Sequence, residues 1–126
     1  MAETPNNNMT AKNNDEIVNT EQFEDMRDLL EEDFADLVQV YFTDAQQRII
    51  KLRQAQQEAD NANGYELAHA LKGASANLGT TQLMNLSSQL QELCREQRIS
   101  ESAQLIEVIA ISLDSAEQDI NQRLGQ

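Results

Sequence analysis

An all-α fold, an antiparallel up-and-down four-helix bundle with a short extra N-terminal helix, is predicted by three features of this sequence. Apolar residues recur at three- and four-residue spacing over most of positions 19–124. Only one proline and four glycines interrupt the 126 residues, so few positions oppose a helix. Alanine, leucine, glutamine and glutamate, all good helix formers, are plentiful. A chain of this size makes one domain with a modest core.

Residues 1–18 are asparagine-rich, contain Pro5 and carry little periodic apolar content. They are expected to form a disordered lead ahead of a helical domain over 19–126. Asn19 or Thr20 can cap a short first helix, with Gln22 three residues after Asn19 and a stripe of Phe23, Met26 and Leu30. This helix is expected to cover one end of the bundle. A long second helix follows over 33–59, with the stripe Phe34, Leu37, Val38, Tyr41, Ala45, Ile49 and Leu52. The run Asn61-Ala62-Asn63-Gly64 is expected to be a turn, with Asn63 as the N-cap of a third helix over 65–79. Gly79 suits the left-handed residue after that helix, and Thr80 or Thr81 can cap the fourth. In the fourth helix Leu83, Leu86, Leu90 and Leu93 share one side, with Cys94 at its margin as a small packing residue. Ser100 is expected to cap a last helix whose seam is Leu105, Ile109, Leu113, Ala116, Ile120 and Leu124, with Gly125 just beyond. Four long amphipathic helices joined by short links pack most simply up and down in order.

The formal charge of −13 argues against duplex nucleic acid and anionic membrane as partners, and suits a docking surface rich in lysine and arginine. A single cysteine leaves no internal disulfide, in keeping with a reducing compartment. No stretch is apolar for long enough to span a bilayer, and the first residues lack a secretory signal pattern, so a cytoplasmic protein is expected.

The only histidine, His69, lies in the third helix, whose apolar row Leu67, Leu71, Ala74 and Leu78 has offsets of 0, 4, 7 and 11. His69 projects roughly 170° from the middle of that row and should face away from the core. Tyr65, Gly73 and Ala76 fall within about 40° of it on the helical wheel, and Lys72 within about 60°. A glycine inside a helix costs on the order of 1 kcal/mol relative to alanine, so Gly73 needs a reason; a missing side chain lets another protein's backbone approach the ring. Lys72 can bring an ammonium to whatever the ring carries. A free histidine titrates near about 6.5, so an exposed ring is largely neutral at cytoplasmic pH and has a lone pair for attack. Ser75 is expected at the core edge, bonding a carbonyl one turn earlier, and Asn77 in solvent.

The run Ala68-His69-Ala70-Leu71-Lys72-Gly73-Ala74-Ser75-Ala76-Asn77-Leu78-Gly79 resembles the signature of histidine-containing phosphotransfer (HPt) domains, found in bacterial multistep phosphorelays. There, a His-x-Leu-Lys-Gly run on a helix is followed by small residues and a later glycine. The resemblance implies that His69 accepts a phosphoryl group, usually on Nε2, from an aspartyl phosphate of a receiver domain and passes it to another receiver. Lys72 would steady the phosphoryl oxygens, while Gly73 and Ala76, with Tyr65 beside them, would meet the receivers of a hybrid sensor kinase and a response regulator. The implied protein is a monomer that needs no cofactor, because the metal in such exchanges belongs to the receiver. It has no Gly-rich phosphate loop and should not phosphorylate itself from ATP. One histidine and one distant cysteine make no zinc site.

Two rival readings stand beside this one. The dimerisation and phosphoacceptor segment of a sensor kinase is also helical with an exposed histidine. Such segments commonly follow the histidine with an acidic residue and later a proline, where this chain has Ala70 and no downstream proline. The other rival is a non-catalytic acidic adaptor that binds a partner through the bundle surface.

Overall fold

The computed structural model describes residues 16–125. Helix α1 (Thr20–Leu30) leads through a 3-10 turn (Glu31–Asp33) into α2 (Phe34–Gln57), followed by α3 (Asn61–Leu78) and α4 (Thr81–Arg95). A second 3-10 turn (Ile99–Glu101) precedes α5 (Ala103–Leu124). Helices α2 to α5 form a closed ring in chain order, α5 returning to α2, and the α3–α4 pairing is the most extensive. The four-helix bundle expected from the apolar spacing is therefore present.

Asn19 caps α1 by accepting the Gln22 amide at 2.9 Å. Gln22 does not reach back to close a capping box; its side chain goes to α3 instead. Phe23 is fully buried, edge-on to Phe34 at 5.1 Å, with the guanidinium groups of Arg27 and Arg123 over its ring. This plug closes one end of the bundle. Residues 1–15 of the expected disordered lead lie outside the described residues. Residues 16–18 are packed: Val18 is buried, and the Glu16 carbonyl accepts from the Gln82 amide at 2.9 Å.

Two helix starts differ from the sequence reading. Helix α3 begins at Asn61, capped by Asp60, whose carboxylate accepts the Asn63 amide at 3.1 Å; Asn63 is not the cap and Gly64 is not in a turn. Gly64 is helical and buried, and a Cβ there would stand 2.3 Å from Ile99 Cδ1 and 3.0 Å from Cys94 Sγ. Turn composition was thus overridden by a close approach that only glycine allows, with the Asn61 side chain accepting the Ile99 amide at 2.9 Å to hold the two segments together. Ser100 lies in the 3-10 turn, and Ser102 takes the position before α5, donating its hydroxyl to the Ile99 carbonyl at 2.6 Å. Thr80 precedes α4 but turns its hydroxyl inward to Tyr41 rather than onto the helix. In the α2 stripe Leu37 is 40% exposed, and Phe42 and Ala55 are buried beside the expected residues.

Gly64→Ala is expected to lower stability by about 1 kcal/mol, since crowding of the fully buried Ile99 costs about 1–3 kcal/mol and helix propensity returns only about 1. Denaturant unfolding measures it, and a stabilised variant would show that Ile99 has room to yield.

Candidate functional site

Helix α3 turns Gly64, Ala68, Leu71, Ser75 and Leu78 into the bundle. The expected row of Leu67, Leu71, Ala74 and Leu78 is only partly right, because Leu67 and Ala74 are half-buried. Small side chains at Gly64, Ala68 and Ser75 let α3 sit close to its neighbours, which rotates the buried face by about 50° from that row. His69 still stands about 140° from the new centre, and the ring is exposed.

The end of α3 is fixed from several sides. Gly79 adopts a left-handed conformation with φ of 86°, and its amide donates to the Ser75 carbonyl at 3.0 Å. The last carbonyls of a helix lack partners within it, and α1 supplies them: Gln22 Nε2 donates to the Ala76 carbonyl at 2.5 Å and the Asn77 carbonyl at 3.4 Å. Asn19 donates its amide to the Gly79 carbonyl at 2.7 Å. Ser75 is fully buried, and its hydroxyl bonds Tyr41 Oη at 2.8 Å rather than a carbonyl of its own helix. Tyr41 Oη also meets Thr80 Oγ1 at 2.9 Å, so three hydroxyls from α2, α3 and the following turn satisfy one another. Burial pushes the Tyr41 phenol above its ordinary value, against the opposing pull of those two hydrogen bonds.

On the outer face the five sequence-selected residues lie together on one strip of α3. Gly73, one turn after His69, is exposed, and a Cβ built on it meets nothing within 4 Å. No intramolecular packing therefore requires a glycine there. Ala76 is half-buried and its carbonyl is held by Gln22. Lys72 is half-buried and, among the described residues, belongs to no ion pair, unlike Arg27, Arg53, Arg95, Arg98 and Arg123. Its charge is left for an incoming anion. Tyr65 is half-buried, stacked parallel to His69 with ring centroids 6.1 Å apart, and its hydroxyl accepts from Gln91 Nε2 at 3.1 Å. The site thus offers an exposed imidazole, a cation within one turn, and open space at Gly73 beside the ring. Cys94 is 1% exposed, with its thiol pushed up to about 11 by burial. Among the described residues no three His, Cys, Asp or Glu side chains are grouped to hold a metal ion.

Two features escaped the sequence reading. Gln91 is a polar residue turned inward among the leucines of α4, visible in sequence only as a break in an apolar seam. A groove of about 210 Å³ runs beside α3, lined by Met26, Leu37, Val40, Asp44, Ala74 and Asn77. Leu37 belongs to the apolar stripe of α2 in the sequence but lines this groove with Met26 of α1, and where α1 docks is not encoded in periodicity.

Comparison with known proteins agrees with the helical fold. A family model described as "Hpt domain" matches residues 36–119. Among solved structures, histidine-containing phosphotransfer protein B from Pseudomonas aeruginosa PAO1 is similar, with a TM-score of 0.82, 21% identity, and coverage of 86% of this chain and 94% of that one. No curated protein matches by sequence.

Proposed function

The chain belongs to the Hpt domain family, and from that premise we propose that His69 accepts a phosphoryl group from the aspartyl phosphate of one receiver domain and hands it to the aspartate of a second. The observation that carries this reading is the exposed imidazole flanked by a glycine with nothing within 4 Å of its Cβ position and by a lysine that is in no ion pair among the described residues.

The ring attacks phosphorus with the lone pair of one nitrogen, taken as Nε2, and carries its proton on the other. A nitrogen–phosphorus bond forms as the bond from phosphorus to the aspartyl oxygen breaks, and the carboxylate leaves with that electron pair. The second receiver's aspartate reverses these events. Phosphoryl transfer needs in-line placement and charge stabilisation more than covalent assistance, and Lys72 supplies the charge. Gly73 and Ala76 leave room for the receiver's loops, and Tyr65 borders the same contact. The donor is the receiver of a hybrid sensor kinase and the acceptor that of a response regulator. Magnesium, where the exchange uses it, is held by the receiver.

Residues 19–126 form the working unit in this reading. The bundle closes within one chain, which supports a monomer and disfavours the dimeric sensor-kinase segment. Among the described residues no helix is long and apolar enough to cross a membrane, in keeping with a cytoplasmic site of action.

The test is transfer of label from a phosphorylated receiver. Lys72→Ala is expected to slow transfer about tenfold, or roughly 1.4 kcal/mol of barrier, without moving the unfolding midpoint. Unchanged transfer would remove Lys72 from the mechanism.

A further inference from the structure

We propose that Tyr65 is a positioning residue for His69, its ring tied by Gln91 to α4 so that the imidazole plane, and with it the attacking lone pair, has a fixed direction. The proposal rests on the phosphotransfer reading and extends it from which atom reacts to what aims that atom.

The two rings are one helical turn apart on the same strip of α3. Their planes differ by 4° and their centroids are 6.1 Å apart, an offset stack. An exposed histidine otherwise samples a broad, roughly two-fold second torsion. Its lone pair lies in the ring plane, so a rocking ring sweeps the nucleophile across the line of attack. A parallel neighbour restrains that motion only if it is itself held. Tyr65 is: it is half-buried, and Gln91 Nε2 donates to its hydroxyl at 3.1 Å.

Gln91 is 9% exposed, and its Oε1 has no partner among the described residues. The tie to Tyr65 is thus what the buried amide offers its surroundings. Turned end for end, the amide would accept the Tyr65 hydroxyl proton on Oε1, and the tie would persist. A glutamine in an apolar seam does not serve stability well, since a buried polar atom left unpaired is costly. An anchoring role for Gln91 accounts for its presence, and a role confined to packing does not. The chain of contact runs from the interior of α4, through a half-buried phenol, to an exposed imidazole.

The experiment compares wild type with Tyr65→Phe, Tyr65→Leu and Gln91→Met using two donors, a phosphorylated receiver and phosphoramidate, each at saturation. Phosphoramidate is too small to need a protein docking surface. Misdirecting a nucleophile costs up to about a hundredfold per ångström; with the ring only loosened, Tyr65→Leu is expected to lose about tenfold and Tyr65→Phe and Gln91→Met about threefold with phosphoramidate, and at least as much with the receiver, whose contact Tyr65 borders. Unfolding midpoints serve as the control, and Gln91→Met is expected to match or exceed wild type. The His69 ring proton resonances should also move in Tyr65→Leu, through loss of the neighbouring ring current, without any donor present. Wild-type labelling by phosphoramidate in Tyr65→Leu overturns the proposal, and slowing with the receiver alone would confine Tyr65 to the partner contact and overturn it too. Unmoved His69 resonances do the same. A wild-type protein that takes label from neither donor sinks the phosphotransfer reading and this inference with it.

Discussion

His69→Gln is expected to abolish uptake of acid-labile phosphate from a phosphorylated receiver, at least a thousandfold below wild type, while leaving folding intact. Two properties of the chain make the effect so large. His69 is the only histidine, so no second imidazole can substitute. The one thiol, Cys94, is 1% exposed and protonated at neutral pH, its value raised to about 11. Stability should change by less than about 0.5 kcal/mol because the ring is exposed, as for most surface substitutions. Labelling assays and thermal unfolding on the same samples check both halves. An acidic adaptor would keep its full activity with glutamine at this position.

Gly73 carries the second large effect, in which stability and function move in opposite directions. Nothing lies within 4 Å of a Cβ built at this position. Alanine there should therefore gain the full helix propensity difference, about 1 kcal/mol, or about 4 °C in the unfolding midpoint. Leucine is nearly as good a helix former, and its Cβ would start from the same open, exposed position, so Gly73→Leu should fold at least as well as wild type. It nonetheless places a branched side chain one turn from the imidazole, where the receiver must come close. Transfer from a receiver is expected to fall at least a hundredfold, about 2.7 kcal/mol of barrier, while labelling by phosphoramidate changes little. Loss with both donors would point to a distorted helix instead. Transfer at the wild-type rate would show that the receiver does not approach over Gly73.

These two positions were readable from the sequence because each contradicts its local background. A lone histidine opposite an apolar row, and a glycine in a strong helix, stand out against periodicity alone. The helices were readable for the same reason: Phe34, Val38, Tyr41, Ala45, Ile49 and Leu52 keep one spacing, and all are buried. What periodicity could not supply was information held in contacts between helices. Gly64 looks like a turn residue until Ile99 and Cys94 are seen against it. Ser75 looks like a helix-edge hydroxyl until Tyr41 arrives from α2 to bond it. Gln22 has the spacing of a capping box, yet its side chain finds carbonyls at the end of α3 more than 50 residues away. Each of these departures involves a polar or small residue whose partner is distant in sequence, and none moves His69 from the outer face.

The account depends on where the phosphate sits once a phosphorylated receiver has been mixed with the wild-type protein. Tandem mass spectrometry at neutral to alkaline pH, which preserves phosphohistidine, locates it directly. The expected result is a single acid-labile phosphate on His69. Acid-stable phosphate on a hydroxyl such as that of Tyr65, or none on His69 while the receiver loses its own, would contradict it.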